Sequence, residues 1–406
     1  MGFAVVNGKY FDSEKSPTVR NMMIQNGKIT GVGYIPDEDE DNLTIVDITQ
    51  SLILPNTFDF VFSSHPSKLS NLIHDVQSNG VFNIGFIPNS QTNCLDDPMV
   101  IESIANHTLT SGSLSIFACA TKQNLPNELA ELSMLKKAGA SGIYFGRILE
   151  NESLLKQALT YVDMIGCPIV VAPLTRFEAD GTHLNEGVSS FTVGVRGESV
   201  NDEFRRVQTL LSLIKETTTV PVHFLAISSA EAIDLIDQFK KDYPNVSVGV
   251  SPFHMALSDE ALLTYNSDLK FNPPLRHSDE ILKLFELFKS NKIDHVTSLH
   301  APKNDEPQPT SFFDSQPYLS TIASYYNVVS HLFIDSGLDL NNLKTLLSAP
   351  KGFNLFSENT LNLNDQANFV AIKTQAEEAE IKTIFFNVAL ELKGGVSAVV
   401  VSGELR

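Results

Sequence analysis

Several ordinary features are scarce or missing in this 406-residue chain. Its three cysteines, Cys94, Cys119 and Cys167, stand apart without CxxC spacing. They read as reduced, buried thiols, not as a disulfide framework or a metal knuckle. No apolar run reaches eighteen residues, so no membrane span is expected. The first residues, MGFAVVNGKYF, lack a basic stretch leading into an apolar one, and the cytoplasm is the expected location. Positive charge is sparse: 29 Lys and Arg face 48 Asp and Glu, a net charge of −19. Nucleic acid is therefore a poor partner, since its phosphates must be neutralised by cations. The acidic run from Asp37 to Asp41 has neither the spaced ligands nor the glycine turn of a calcium loop, and reads as a surface loop. GxSxG, Walker A and HExxH motifs are absent, which removes their chemistries from consideration.

What is present is an ordinary globular composition, 42% hydrophobic and 19% charged, long enough to bury a large core. Both ends read as β structure. Asn7-Gly8 and Asn26-Gly27 mark hairpin turns near the start, and NFVAIKT, IFFNVALEL and VSAVVVSGEL follow one another near the end. Between them eight apolar strand candidates alternate with helical patterns: FDFVF, VFNIGFIP, LSIFACA, SGIYFG, PIVVAP, VPVHFLAI, VSVGVSP and DHVTSLH. Near-continuous apolar strands separated by helices imply a parallel sheet buried on both faces. The expected fold is α/β, a (β/α)8 TIM-type barrel over 55–354 with a small β-sandwich domain built from 1–54 plus 355–406. Two long loops, 175–199 and 301–316, follow strands at their C-terminal ends, where barrels build their sites.

The stretch LPNTFDFVFSSHPS ends an apolar run and carries Asp59. It is similar to the first strand of amidohydrolases, whose pattern is Asp-x-His-x-His. IPNSQT is similar to MPNTNP, LNEG to MNEG, SPFHMALSDEAL to TPHHLLLTDEAL, KFNPPLR to KVNPPLR, and IDHVTSLHAPK to IDAIATDHAPH. In this order, across nearly the whole chain, these stretches resemble the dihydroorotase branch of the amidohydrolase superfamily. That resemblance implies zinc-bound hydroxide attacking a cyclic amide while an aspartate moves the proton. Carried over residue by residue, it puts Val61 and Ser63 where two histidines belong. Phe145 stands at the bridging acid, Ala172 and Ala226 at two further histidines, and Leu299 at the catalytic aspartate. Carbon side chains have no lone pair to give, and one serine hydroxyl is a poor zinc ligand. No metal or other cofactor is therefore expected, and no catalytic residue is assigned. A site relocated to His223, His254 and His300 falls short of a ligand set, because His223, three residues before Ala226, counts to the opposite strand face.

Asn89, Asn272 and His300 match family positions that contact dihydroorotate, while His65 stands where the family carries an arginine. With His254 they form a residual substrate pocket, or else they cap strands and tie loops. Some family members lacking metal ligands associate with aspartate transcarbamoylase in pyrimidine biosynthesis. The resemblance therefore implies a catalytically inactive, oligomeric assembly subunit of that enzyme. The alternatives are a divergent metal-dependent cyclic amidohydrolase and a small-molecule sensor.

Overall fold

The computed structural model describes residues 2–12, 16–33, 43–63, 68–88, 94–106, 109, 111–172, 183–302, 311–315, 319–376, 381–385 and 388–406. Five strands come first: β1 (Phe3–Tyr10), β2 (Thr18–Gln25), β3 (Lys28–Val32), β4 (Thr44–Asp47) and β5 (Ser51–Leu54). The chain then alternates through β6 (Phe58–Phe62), α1 (Leu69–Ser78), β7 (Asn83–Ile87), α2 (Pro98–Ala105), β8 (Ser113–Cys119), α3 (Leu132–Lys137), β9 (Gly142–Phe145) and α4 (Glu152–Ile165). It continues with β10 (Ile169–Val171), α5 (Val188–Val193), α6 (Val200–Thr217), β11 (Val222–Phe224), α7 (Ala230–Phe239), β12 (Val246–Val250), α8 (Phe253–Ala256), α9 (Ser278–Lys289) and β13 (His295–Val296). Helices α10 (Ile322–Ser336) and α11 (Leu340–Leu346) lead into β14 (Phe369–Lys373), β15 (Ile381–Phe385), β16 (Val388–Leu392), β17 (Val396–Val401) and β18 (Glu404–Leu405).

Strands β6 to β13 pair in chain order, each parallel to the next. Their interior is packed with rings. Phe60 stacks on His223 at 5.4 Å and meets Phe117 edge-on at 5.4 Å, while His295 lies 5.5 Å from His223. These rings come from β6, β8, β11 and β13, so only contacts across the barrel axis bring them together. Neighbouring strands make room with glycine. A Cβ on Gly85 would sit 2.6 Å from a Phe60 ring atom, and one on Gly249 would sit 2.5 Å from the Leu225 carbonyl oxygen and 3.0 Å from His223 Nε2. Phe353 and Phe356, on the segment after α11, close the base of the barrel against Phe117, His223 and Phe58.

The seam between β13 and β6 lacks a full ladder. It is bridged by Phe62 N–H donating to the His300 carbonyl at 2.9 Å, and by Ser298 N–H donating to the Asp59 carboxylate at 3.1 Å. Helices around the barrel follow their local signals. Asn151 caps α4 by accepting from Leu154 N–H, and Gly166 ends that helix at φ 63°.

The two chain ends meet in one eight-stranded sheet, ordered β18-β17-β14-β5-β1-β2-β3 with β4 beside β1. Along β14 the side chains alternate: Phe369 and Ala371 join a core of their own with Val5, Met22, Ile24 and Ile53, while Val370 and Ile372 join the barrel core. Strands β5 and β14 read as unbroken apolar runs because both of their faces are covered. The hairpin β15–β16 stands outside that sheet, docked by Phe385 stacked 4.6 Å from Phe253.

Candidate functional site

All strands of a parallel barrel end on the same side, so β6, β9, β10, β11 and β13 bring the backbones of the six expected metal positions to the same end of the barrel. Val61 and Phe145 lie within strands, and Ser63, Ala172, Ala226 and Leu299 follow strand ends. All six are buried. Along β6 the rings of Phe58 and Phe60 point inward, and alternation turns Asp59 and Val61 to the other side. Asp59 is fully buried, receives Ser298 N–H, and has its pKa raised to about 7 by burial. The retained aspartate of the motif therefore joins the two seam strands.

Leu299 holds a left-handed backbone, φ 54°, which aspartate and asparagine tolerate better than leucine. The chain keeps a backbone suited to a short polar residue while carrying a hydrocarbon side chain. Among the described residues no group of three or more His, Cys, Asp or Glu is placed to hold a metal ion. The donor set at the six positions, one hydroxyl and five hydrocarbons, does not fit zinc.

The other expected pocket residues are dispersed. Asn89 and His65 lie outside the described residues. His254 Nε2 contacts the Pro273 carbonyl oxygen at 2.8 Å, and its ring meets Phe271 edge-on. His300 Nε2 lies 3.7 Å from Asp75 on α1, so its ring faces the helix layer. Burial pushes both imidazoles down to about 4. Asn272 is half-buried beside Pro273. His223 departs from the sequence expectation: it faces the barrel axis, where its Nδ1 lies 2.9 Å from Ser247 Oγ. Strand β11 ends at Phe224, so alternation cannot be counted through to Ala226.

Sequence reasoning missed the largest polar constellation. Arg276, with no exposed surface, donates to Ser228 Oγ (2.9 Å), to Asn185 Oδ1 (3.1 Å), to the Glu198 carbonyl (2.9 Å) and to Glu203 Oε2 (3.2 Å). Asn185 Nδ2 donates to Asp259 Oδ2 at 3.2 Å, and Glu203 also receives the N–H and hydroxyl of Ser228. These residues bring together LNEG, SPFHMALSDEAL and KFNPPLR. The signal was in those motifs: each carries one polar residue able to clamp the loops that follow β10, β11 and β12.

Comparison with known proteins bears on this frame. No family model matches the chain. Its sequence is 24% identical over 379 residues to a dihydroorotase of Caldicellulosiruptor saccharolyticus, covering 91% of this chain and 87% of that protein. It is 26% identical over 320 residues to a dihydroorotase of Acetivibrio thermocellus, covering 76% and 74%. The fold superposes on L-hydantoinase (dihydropyrimidinase) from Arthrobacter aurescens with a TM-score of 0.72 at 16% identity, covering 99% and 95% of the two chains. A D-hydantoinase (dihydropyrimidinase) from Thermus sp. gives 0.71 at 15% identity, covering 99% and 94%. The chain has an amidohydrolase fold. Within that barrel, the stretches that resemble dihydroorotase motifs meet in the Arg276 network and the Asp59 seam, whereas the positions expected of metal chemistry carry Val61, Ser63, Phe145, Ala172, Ala226 and Leu299. No described helix is long and apolar enough to cross a membrane.

Proposed function

We propose that this chain is a dihydroorotase-like protein that no longer performs metal-dependent hydrolysis and serves as an assembly subunit for aspartate transcarbamoylase. The observation that carries the first half is the chemistry of the mouth. Five hydrocarbon side chains and one serine stand where ligands and a proton carrier would be needed, each buried. A zinc ion brings the pKa of its water to about 7 from 15.7, and these residues offer no means to hold one. The partner follows from the resemblance to metal-site-deficient dihydroorotases. The protein would work in pyrimidine biosynthesis, in the cytoplasm and within an oligomer.

A second reading is favoured by the similarity to dihydroorotases over 91% of the chain: a divergent cyclic amidohydrolase whose ligands come from other positions. One preparation of the full chain separates the two. Metal content measured by plasma mass spectrometry, with a dihydroorotate hydrolysis assay on the same sample, should give only traces of zinc and no turnover. Near-stoichiometric zinc with turnover establishes the second reading instead. The partner is tested by size exclusion with light scattering alongside the aspartate transcarbamoylase of the same organism, where a single co-eluting species is expected and two separate peaks reject the assembly role.

A further inference from the structure

The base of the barrel holds a cavity unrelated to its mouth. It opens between β1, the β5–β6 connection, the end of α11 and the segment around 358–362, with a volume of about 370 Å3. That lies within the range of small-molecule sites, about 300–1,000 Å3, which favour junctions between structural units. Its floor is apolar, formed by Phe11, Leu54 and Leu347. Its rim carries charges of both signs, Asp12 and Glu358 together with Lys344. Asp12 and Glu358 both act on the Tyr10 phenol, whose pKa is raised first by burial and further by these two carboxylates. Buried Arg20, 4.6 Å over the Tyr10 ring, holds Asp12 at the edge with Nη1 3.6 Å from Oδ2. Lys344 also lines the rim, its ammonium 5.4 Å from the Phe11 ring centroid. Neither Glu358 nor Lys344 forms an ion pair with another described residue.

We propose that this cleft binds a free amino acid with an apolar side chain. Its α-ammonium faces Glu358 and Asp12, its α-carboxylate faces Lys344, and its side chain lies on Phe11, Leu54 and Leu347. A purely anionic ligand would meet two carboxylates, and a purely cationic one would meet Lys344. A zwitterion answers both signs of charge, and an apolar side chain matches the floor. Because the cleft lies at the end of the barrel opposite the mouth, this binding is independent of the hydrolytic chemistry discussed above.

The test titrates the full chain with L-leucine and L-phenylalanine, following thermal unfolding and calorimetric heat. At least one should bind saturably and raise the melting temperature. The matching amine without the carboxylate, and the matching acid without the ammonium, should each bind about tenfold more weakly, as should the amino acid to Glu358→Gln and Lys344→Met. Both side chains are exposed, so the free variants should melt with the wild type. No saturable shift up to the solubility limit of either amino acid overturns the proposal, and so does equal affinity for the amine, the acid or the two variants.

Discussion

Asp59 has a mechanical role. Both carboxylate oxygens lie 3.1–3.2 Å from Ser298 N–H, and no exposed surface remains. Replacing it with alanine leaves a buried N–H without a partner and a small void, and should lower stability by about 2–4 kcal/mol in urea unfolding. Asp59→Asn keeps one acceptor and should cost less, with a pH signature. The native pKa is raised to about 7 from an ordinary 3.8, so the native state holds a proton that the unfolded chain releases. Wild-type stability from this residue therefore falls as pH rises from 4 towards 7, and the deficit of the asparagine variant should be smaller at pH 8 than at pH 5. A deficit unchanged with pH would show that Asp59 is ionised throughout. Leu299 gives a second test. At φ 54° a leucine or alanine is strained, so Leu299→Gly should be more stable than Leu299→Ala by about 1 kcal/mol, reversing the usual order of these substitutions.

At the level of elements, the eight barrel strands were legible because each is a short apolar run alternating with a helical pattern. The helical pattern of NELAELSMLKKAG becomes a helix only at Leu132–Lys137, since the stretch before it is held extended by the bridge between Thr121 and Leu129. Side-chain direction was less legible than strand position. His223 and His295 occupy short strands, where too few residues exist to establish which parity faces inward. The Arg276 clamp was hidden for a different reason: its partners lie up to 91 residues away, and polar residues in loops resemble ligand contacts. The clamp should prove structural. Arg276→Met strands Glu203 and Asn185 inside the protein and should cost about 3–5 kcal/mol, read as a lower urea midpoint with unchanged slope. Gly85→Ala should cost about 1–3 kcal/mol by pressing a methyl into the Phe58 and Phe60 rings, and wild-type stability in that variant would refute the ring-against-glycine packing.

For the whole molecule, buried imidazoles set the acid limit. Burial is the main cause that lowers His183, His254, His295 and His300 to about 4, and it drives His223 further down. Around them the charged groups are few. Lys270 faces His183 and Arg276 faces His254, both disfavouring protonation, while Asp75 approaches His300 and His295 faces His223, the Phe58 and Phe60 rings and backbone carbonyls. Each of the four is neutral in the native state and protonated in the unfolded chain once pH drops below 6.5. Their stabilisation is complete above that pH and is lost as pH falls towards 4. At pH 5 the loss is about 2 kcal/mol for each histidine, and uptake by Asp59 offsets about 2 kcal/mol of the total. The remainder is comparable to the whole stability of a typical domain, about 5–15 kcal/mol. Acid unfolding followed by circular dichroism should therefore be complete between pH 6 and 4, steeper than a single proton permits. His295→Leu, which leaves the aromatic plug apolar, should lower the midpoint pH and reduce proton uptake on unfolding by close to one. A native spectrum persisting below pH 4 would mean that these imidazoles take up protons in place, and that the ring-packed interior admits water.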